Sequence, residues 1–404
     1  MRIESIRLEN FRVFRQLELK ELPEVAIFVG ANGTGKSTLF DVFAFLGESL
    51  RGNVRSALAN RGGFREVHSR AAAGNIKIEL QFRLSISDRL RLVTYLLEIG
   101  ERKGRPIIER EVLRYKRGKY GSPYHFLDFR RGAGYAITNE EDFDKADEEL
   151  DREEQQLGSP DILAIKGLGQ FERFKAANAF RNFIENWHVS DFHVSEARPV
   201  QQAGYAEHLS ERGDNLALVA QYLYEHHPVT FERVLDSMKR RVPGVERVEA
   251  KTTEDGRVVL RFQDGAFQDP FVARYVSDGT IKMFAYLLLL HDPEPHPLLC
   301  VEEPENQLYP TLLPELLDEF RLYARRGGQV FITTHSPDLL NTADLEEVFW
   351  LAKSEGQTTV RRAAADPVIK AQFQEGNSLG YLWRTNLMTN AHPVCLTTGS
   401  DWKF

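Results

Sequence analysis

An α/β fold is what this sequence predicts, with a mixed sheet core, an antiparallel β region and an inserted helical lobe. Three observations carry that expectation. The strand-like run Glu24 to Val29 passes through a glycine-rich loop into the apolar run Thr38 to Phe45. Two more apolar, β-branched runs, Leu298 to Glu303 and Gln329 to Thr334, bring strand and helix alternation back in the last third. Between them, from Phe171 to about Arg241, apolar residues recur at helical spacing, as in Leu216, Val219, Ala220 and Leu223, with Pro228 dividing two helices.

Taken in order, Met1 to Leu8 alternates polar and apolar residues and reads as a strand and not as a signal peptide. Ile76 to Leu84 alternates in the same way, and Ile107 to Tyr115 and Tyr120 to Phe129 predict a hairpin around Lys116-Arg117-Gly118-Lys119. Glu140 to Glu154 holds ten acidic residues against Lys145 and Arg152, which predicts an acidic surface helix or mobile insert. Val245 to Phe262 predicts another hairpin, around Glu254-Asp255-Gly256. The segments expected on this reading are 1–135, a strand-rich lobe with the glycine loop; 136–295, a helical insert lobe; 296–352, an α/β core; and 353–404, a C-terminal tail.

Composition bounds the function. Across 404 residues, 42% hydrophobic and 27% charged side chains describe a globular chain, and a formal net charge of -7 argues against a generally basic nucleic-acid binder. The longest apolar run, Phe284 to Leu290, is too short to span a bilayer. Two cysteines, Cys300 and Cys395, leave no disulfide framework or zinc-thiolate site and predict a cytoplasmic protein.

The loop Gly30-Ala31-Asn32-Gly33-Thr34-Gly35-Lys36-Ser37, with Thr38 behind it, carries the strongest chemical signal. Glycines at this spacing let successive backbone N–H groups converge on polyphosphate oxygens, with the positive end of a helix behind them. Lys36 is placed to reach the β- and γ-phosphates of ATP and Ser37 to ligate Mg²⁺. The run Leu298 to Val301 ends in Glu302-Glu303; we assign Glu302 to Mg²⁺ and Glu303 to the attacking water as general base, against the reading of two solvated acids before Pro304. His335 follows a predicted strand at the end where open α/β sheets contact ligands, and it fits a γ-phosphate contact. Ser277-Asp278-Gly279-Thr280 opens an apolar helix, either as a plain cap or as a second phosphate clamp.

Together the glycine loop, Ser277-Asp278-Gly279, Glu302-Glu303-Pro304-Glu305-Asn306 and Thr334-His335-Ser336 resemble the ATPase heads of the ABC superfamily. With the opening Ile6-Arg7-Leu8-Glu9-Asn10-Phe11-Arg12, the likeness is to the branch of RecF, SMC and OLD proteins. That resemblance implies a P-loop NTPase fold and a homodimer sandwiching ATP, with Ser277 and Gly279 acting on the partner's nucleotide. It further implies a DNA-linked role in repair or anti-phage defence beside a separate effector. Alternatives are a non-enzymatic ATP-bound sensor or scaffold restraining a toxin nuclease, and a transporter motor. The long coiled-coil arms of SMC proteins and the clustered acids of a Toprim nuclease are missing from the pattern, so DNA cleavage by this chain is not expected. Gln81 is a weak candidate for the glutamine that couples the two lobes in such heads. Arg102 to Arg131, with ten Lys or Arg and interleaved aromatics, is either a DNA contact or a hairpin with a basic edge.

Overall fold

The computed structural model describes residues 1–86, 89–116, 123–138 and 151–388. Arg2–Phe11 (β1) and Phe14–Leu19 (β2) form a hairpin, and Val25–Val29 (β3) runs into the glycine loop and the helix Lys36–Arg51. Beyond a short helix, Val54–Ala59, lie Ile76–Ile86 (β4), Arg89–Arg102 (β5), Arg105–Lys116 (β6), Pro123–Arg130 (β7), Ala133–Ile137 (β8) and Arg152–Gln156 (β9). With β1 and β2 these make one eight-stranded antiparallel sheet in the order β2-β1-β4-β5-β6-β7-β8-β9.

The rest of the chain adds His188–Ser190 (β10), Gln201–Gln202 (β11), Val245–Thr252 (β12), Arg257–Asp264 (β13) and Phe271–Val272 (β14). Leu299–Glu302 (β15), Val330–Thr334 (β16), Val348–Ser354 (β17) and Gln357–Arg362 (β18) follow. The central sheet runs β10-β15-β16-β3-β17-β18, parallel except for β18, while β11 to β14 form a small antiparallel sheet. This is the predicted α/β class, a mixed sheet core with an antiparallel β region, threaded by helices that include Lys175–Glu185, Leu216–His226 and Pro228–Arg241.

Both faces of the central sheet are apolar, as strands in a parallel sheet covered on both sides require. Alternation sorts them: Ala26, Phe28, Cys300, Phe331, Phe349 and Leu351 face one core, under the antiparallel sheet and the helix Lys36–Arg51. Val25, Ile27, Val29, Leu299, Val301, Ile332 and Trp350 face the other, under the helix Asp278–Leu290. Phe28 anchors the first core, stacked on Phe349 at 5.4 Å and edge-on to Phe331 at 5.7 Å, pairs worth about 1 kcal/mol each beyond their burial. Gln329 ties the sheets together through a buried amide: it accepts from Ile3 N at 2.9 Å and donates to the carbonyls of Ile3 and Pro23 at 3.0 Å each.

Three expectations are corrected. The end of the acidic stretch is strand β9 and not helix, its alternating side chains paired along β8; residues 140–150 lie outside the described residues. The 136–295 segment is not purely a helical lobe, because β10 joins the central sheet beside β15. Three residues are too few to show a strand period in sequence. The tail expected from 353 is, as far as Met388, core and sheet: β18 pairs with β17, and Leu379, Leu382 and Trp383 are buried. Cys395, Asp401, Trp402 and Phe404 lie outside the described residues.

Glu111 on β6 is buried, accepting backbone hydrogen bonds from Ala164 and Ile165 at the start of a helix and one from the Tyr95 hydroxyl. Burial pushes its carboxyl from the usual 4.5 up to about 7, against those bonds. The folded chain therefore holds a proton that the unfolded chain has released, so this group's contribution is full below the ordinary carboxylate range and is lost as pH rises through about 7. Urea unfolding near pH 5 and near pH 8 should show this loss in the wild type and a flatter profile in Glu111→Gln. An identical pH slope in both would contradict it.

Candidate nucleotide-binding site

Parallel pairing of β15, β16 and β3 brings three distant segments to one edge: Val29 pairs with Thr334, and Glu302 with Thr333. Each strand's carboxyl end then opens into a functional loop, the position at which open α/β sheets bind ligands.

The helix Lys36–Arg51 starts at Gly35, whose φ of 102° is left-handed; no side chain caps it and no acid sits in its first turn. Its leading N–H groups and positive dipole end are therefore available to an anion. The loop itself is braced from within and from β17 and β18. Thr34 Oγ1 donates to Ala31 O at 2.8 Å, Thr358 Oγ1 to Thr34 O at 2.7 Å, and Lys353 Nζ to Gly33 O at 3.1 Å. Lys36, only 7% exposed, folds over the loop and donates to Gly30 O at 2.8 Å, with Glu303 Oε1 at 3.9 Å. Burial pushes its ammonium pKa down, opposed by the charges of Glu303, Glu305 and Glu302.

Ser37 Oγ donates to Glu302 Oε2 at 2.7 Å, so the two expected metal ligands already touch. Burial raises the Glu302 carboxyl; the Ser37 bond opposes it, while Asp191 and Glu303 add to it. Glu303 goes the other way. Burial would raise it, but a hydrogen bond from Asn306 and the nearby His335 outweigh that and hold it below the usual carboxylate range. His335 Nδ1 lies 3.0 Å from Glu303 Oε1. Glu303 also adopts a φ of 43°, rare for a residue with a side chain and the kind of local strain found at functional loops.

Thus the loop from Gly30 and Ala31 through Lys36 to Ser37 and Thr38, together with Glu302, Glu303 and His335, forms one cluster. Ser277 and Gly279 do not join it. Ser277 caps its own helix, accepting from Thr280 N at 3.2 Å, and a Cβ on Gly279 would stand 2.6 Å from Gln307 O. Gln81 lies on β4 opposite Ser5 and Thr94.

Sequence reasoning missed several participants. Glu305 accepts from Thr334 Oγ1 at 2.6 Å and from His335 N at 3.3 Å, fixing the histidine's loop. Buried Lys282 donates to Asn306 O at 2.8 Å, tying the helix Asp278–Leu290 to the acid pair; burial lowers it to about 8. Thr358 and Lys353 fell in the expected tail. A cavity of about 450 Å³ beside Thr38, lined by Arg12, Arg15, Arg70 and Gln357, was legible only as scattered arginines. Of the two readings of the basic stretch 102–131, the described residues favour the hairpin over a stacking surface: β6 pairs with β7, and Tyr115, Tyr124, Phe126 and Phe129 are buried. Arg102 and Arg131 bind Glu109, and Arg110 binds Asp128.

This is the architecture of an ABC-type P-loop ATPase. Across 92% of this chain and 100% of the other, it superposes on an SMC head crystallised with the C-winged helix domain of ScpA, with a TM-score of 0.55 at 14% identity, a likeness of fold. Residues 25–341 match the AAA_21 family model, described as "AAA domain, putative AbiEii toxin, Type IV TA system", and the chain belongs to that family. Shorter stretches are similar to RecF proteins. It is 33% identical over 89 residues to the DNA replication and repair protein RecF of Herpetosiphon aurantiacus, and 48% over 46 residues to that of Heliobacterium modesticaldum. Those alignments span 21% and 12% of the relatives' own lengths, and 22% and 11% of this chain.

The loop geometry makes a graded prediction for its glycines. Gly33 has a φ of 77° and open space around it, so Gly33→Ala should cost only the left-handed strain, about 1–2 kcal/mol in urea unfolding. Gly35 adds a clash, its Cβ falling 2.7 Å from Val13 Cγ2, and Gly35→Ala should cost more. Equal losses would contradict the close packing of Val13 on the loop.

Proposed function

We propose that this chain binds ATP with Mg²⁺ in the loop Gly30–Thr38 and hydrolyses it, closing on a second copy of itself to drive a DNA-linked process through a separate effector. The contact between Ser37 and Glu302 carries the reading: a hydroxyl and a carboxylate 2.7 Å apart beside an uncapped helix end are the hard oxygen donors that Mg²⁺ takes. Bound there, Mg²⁺ would offset charge on the β- and γ-phosphates.

Within that site the chain's own groups divide the work. The loop N–H groups and Lys36 hold and orient the phosphates, and Lys36 exchanges its carbonyl partner, Gly30 O, for phosphate oxygens. Glu303, kept ionised, accepts the proton of the attacking water. His335 beside it orients that water or contacts the γ-phosphate, and Glu305 holds the histidine's loop in place.

Closure on a second copy is supported by the position of Ser277 and Gly279, outside their own chain's cluster yet tied to its acid loop through Lys282. Tyr275 and Tyr309, 76% and 70% exposed, flank these segments and offer aromatic surface for an interface. The DNA link is supported by the replication and repair role that the RecF relatives carry in their name. The family description favours a second reading, an ATP-bound scaffold within a toxin–antitoxin pair, which predicts binding without turnover.

Two measurements test these readings. Wild-type turnover with Mg²⁺ and ATP should fall ~10²- to 10⁴-fold in Glu303→Gln while ATP binding persists, and Lys36→Ala should lose binding. Absent wild-type turnover would favour the scaffold, and undiminished turnover in Glu303→Gln would remove the base role from Glu303. Ser277→Arg and Lys36→Ala, each inactive alone, should recover hydrolysis when mixed, because one composite site then has both Lys36 and Ser277 intact. No recovery, with both variants folded, would contradict action in trans.

A further inference from the structure

At the other end of β15 from the acid pair, the chain gathers three histidines and an aspartate. His188 opens β10, Asp292 and His296 lie between the helix Asp278–Leu290 and β15, and His208 sits in the loop between β11 and the helix Leu216–His226. We propose that His208, Asp292 and His296 form a binding site for a divalent transition metal of the zinc class, which clips the His208 loop to the base of the central sheet.

One ligating atom from each of these three residues lies within 4.8 Å of the others. Zinc bonds of ~2.0–2.1 Å in tetrahedral geometry need ligand atoms ~3.3 Å apart, so a small adjustment of these three donors would seat the ion, with the fourth position left to water. His208, its side chain 39% exposed on a loop, is the member free to make it.

The surroundings are built as metal sites are. His296 Nδ1 lies 3.1 Å from Asn186 O, which fixes N–H at that nitrogen and leaves the Nε2 lone pair for a ligand, the outer-shell arrangement typical of metal-bound imidazoles. The backbone on both sides is pinned: Arg326 donates to Asp292 O at 3.1 Å and the Tyr323 hydroxyl to His296 O at 3.2 Å. Asp292 is buried, with Oδ1 accepting from Glu294 N and Oδ2 2.7 Å from His208 Nδ1.

A simple polar cluster would account for the Asp292–His208 bond. It leaves a buried nitrogen at the site unexplained: His296 Nε2 has no hydrogen-bond partner, and its ring is covered by His188, stacked on it at 4.9 Å and only 4% exposed. Two imidazoles and one carboxylate suit zinc, whereas Mg²⁺ prefers an all-oxygen set, so this site and the Ser37–Glu302 pair select different ions.

The test uses untagged full-length chain, stripped with chelator and titrated with Zn²⁺ against a chromophoric competitor in excess Mg²⁺. About one Zn²⁺ per chain should bind and raise the melting temperature. His296→Ala and His208→Ala should each weaken binding at least ~10-fold while melting like the metal-free wild type. His208→Ala keeps the test open if the more buried His296→Ala variant does not fold, since His208 lies on a half-exposed loop. Glu302→Gln should leave Zn²⁺ affinity unchanged. No Zn²⁺ binding by the folded wild type, or binding undiminished in both histidine variants, would overturn the assignment.

Discussion

Parallel pairing among β3, β16 and β15 is the constraint on which everything else rests. Val29 and Thr334 are neighbours, as are Thr333 and Glu302, although some 300 residues separate the first strand from the others. Without that register Lys36 would have no Glu303 beside it and Ser37 no Glu302. The pairing holds because both faces of these strands are buried, so a slip by one residue would move Phe28 and Phe331 from one apolar core into the other.

The glycine loop, the acid pair and the strand-end histidine were legible because each is a short, dense local pattern next to a strongly apolar strand. The structure brings Lys36, Ser37, Glu302, Glu303 and His335 into one cluster. What escaped was long-range or short in sequence. Strand β10 has three residues, and Thr358 supports the loop only because β18 folds back along β17. The basic stretch left two readings open for a different reason: alternation marks which residues share a face, and only the fold shows that Tyr115, Tyr124 and Phe126 face inward. Lys282 reads in sequence as one charge on an apolar helix, yet its ammonium is the tie between that helix and the Glu303–Asn306 turn.

That tie links the helix beginning at Ser277 to the turn that carries Glu303. Lys282 donates to backbone carbonyls on the segment that carries Glu303, so a shift of the helix beginning at Ser277 is felt at the proposed base without a change in the loop Gly30–Thr38. The same strand, β15, carries the acid pair at one end and the base of the His208–Asp292–His296 cluster at the other. A four-residue strand thus separates the two proposed cation sites, whose donor sets differ.

The central claim is that the nucleotide occupies the loop at the carboxyl ends of β3, β15 and β16. Hydrogen exchange of the full chain with and without Mg²⁺ and ATP tests it most directly, because the backbone amides of the loop are the groups proposed to bind phosphate. Slowed exchange over Gly30 to Thr38, with smaller effects at Glu303 to Asn306 and Thr334 to Ser336, is the predicted result. Protection confined to the cavity between Tyr224, Phe231 and β12, with the loop unchanged, would contradict it.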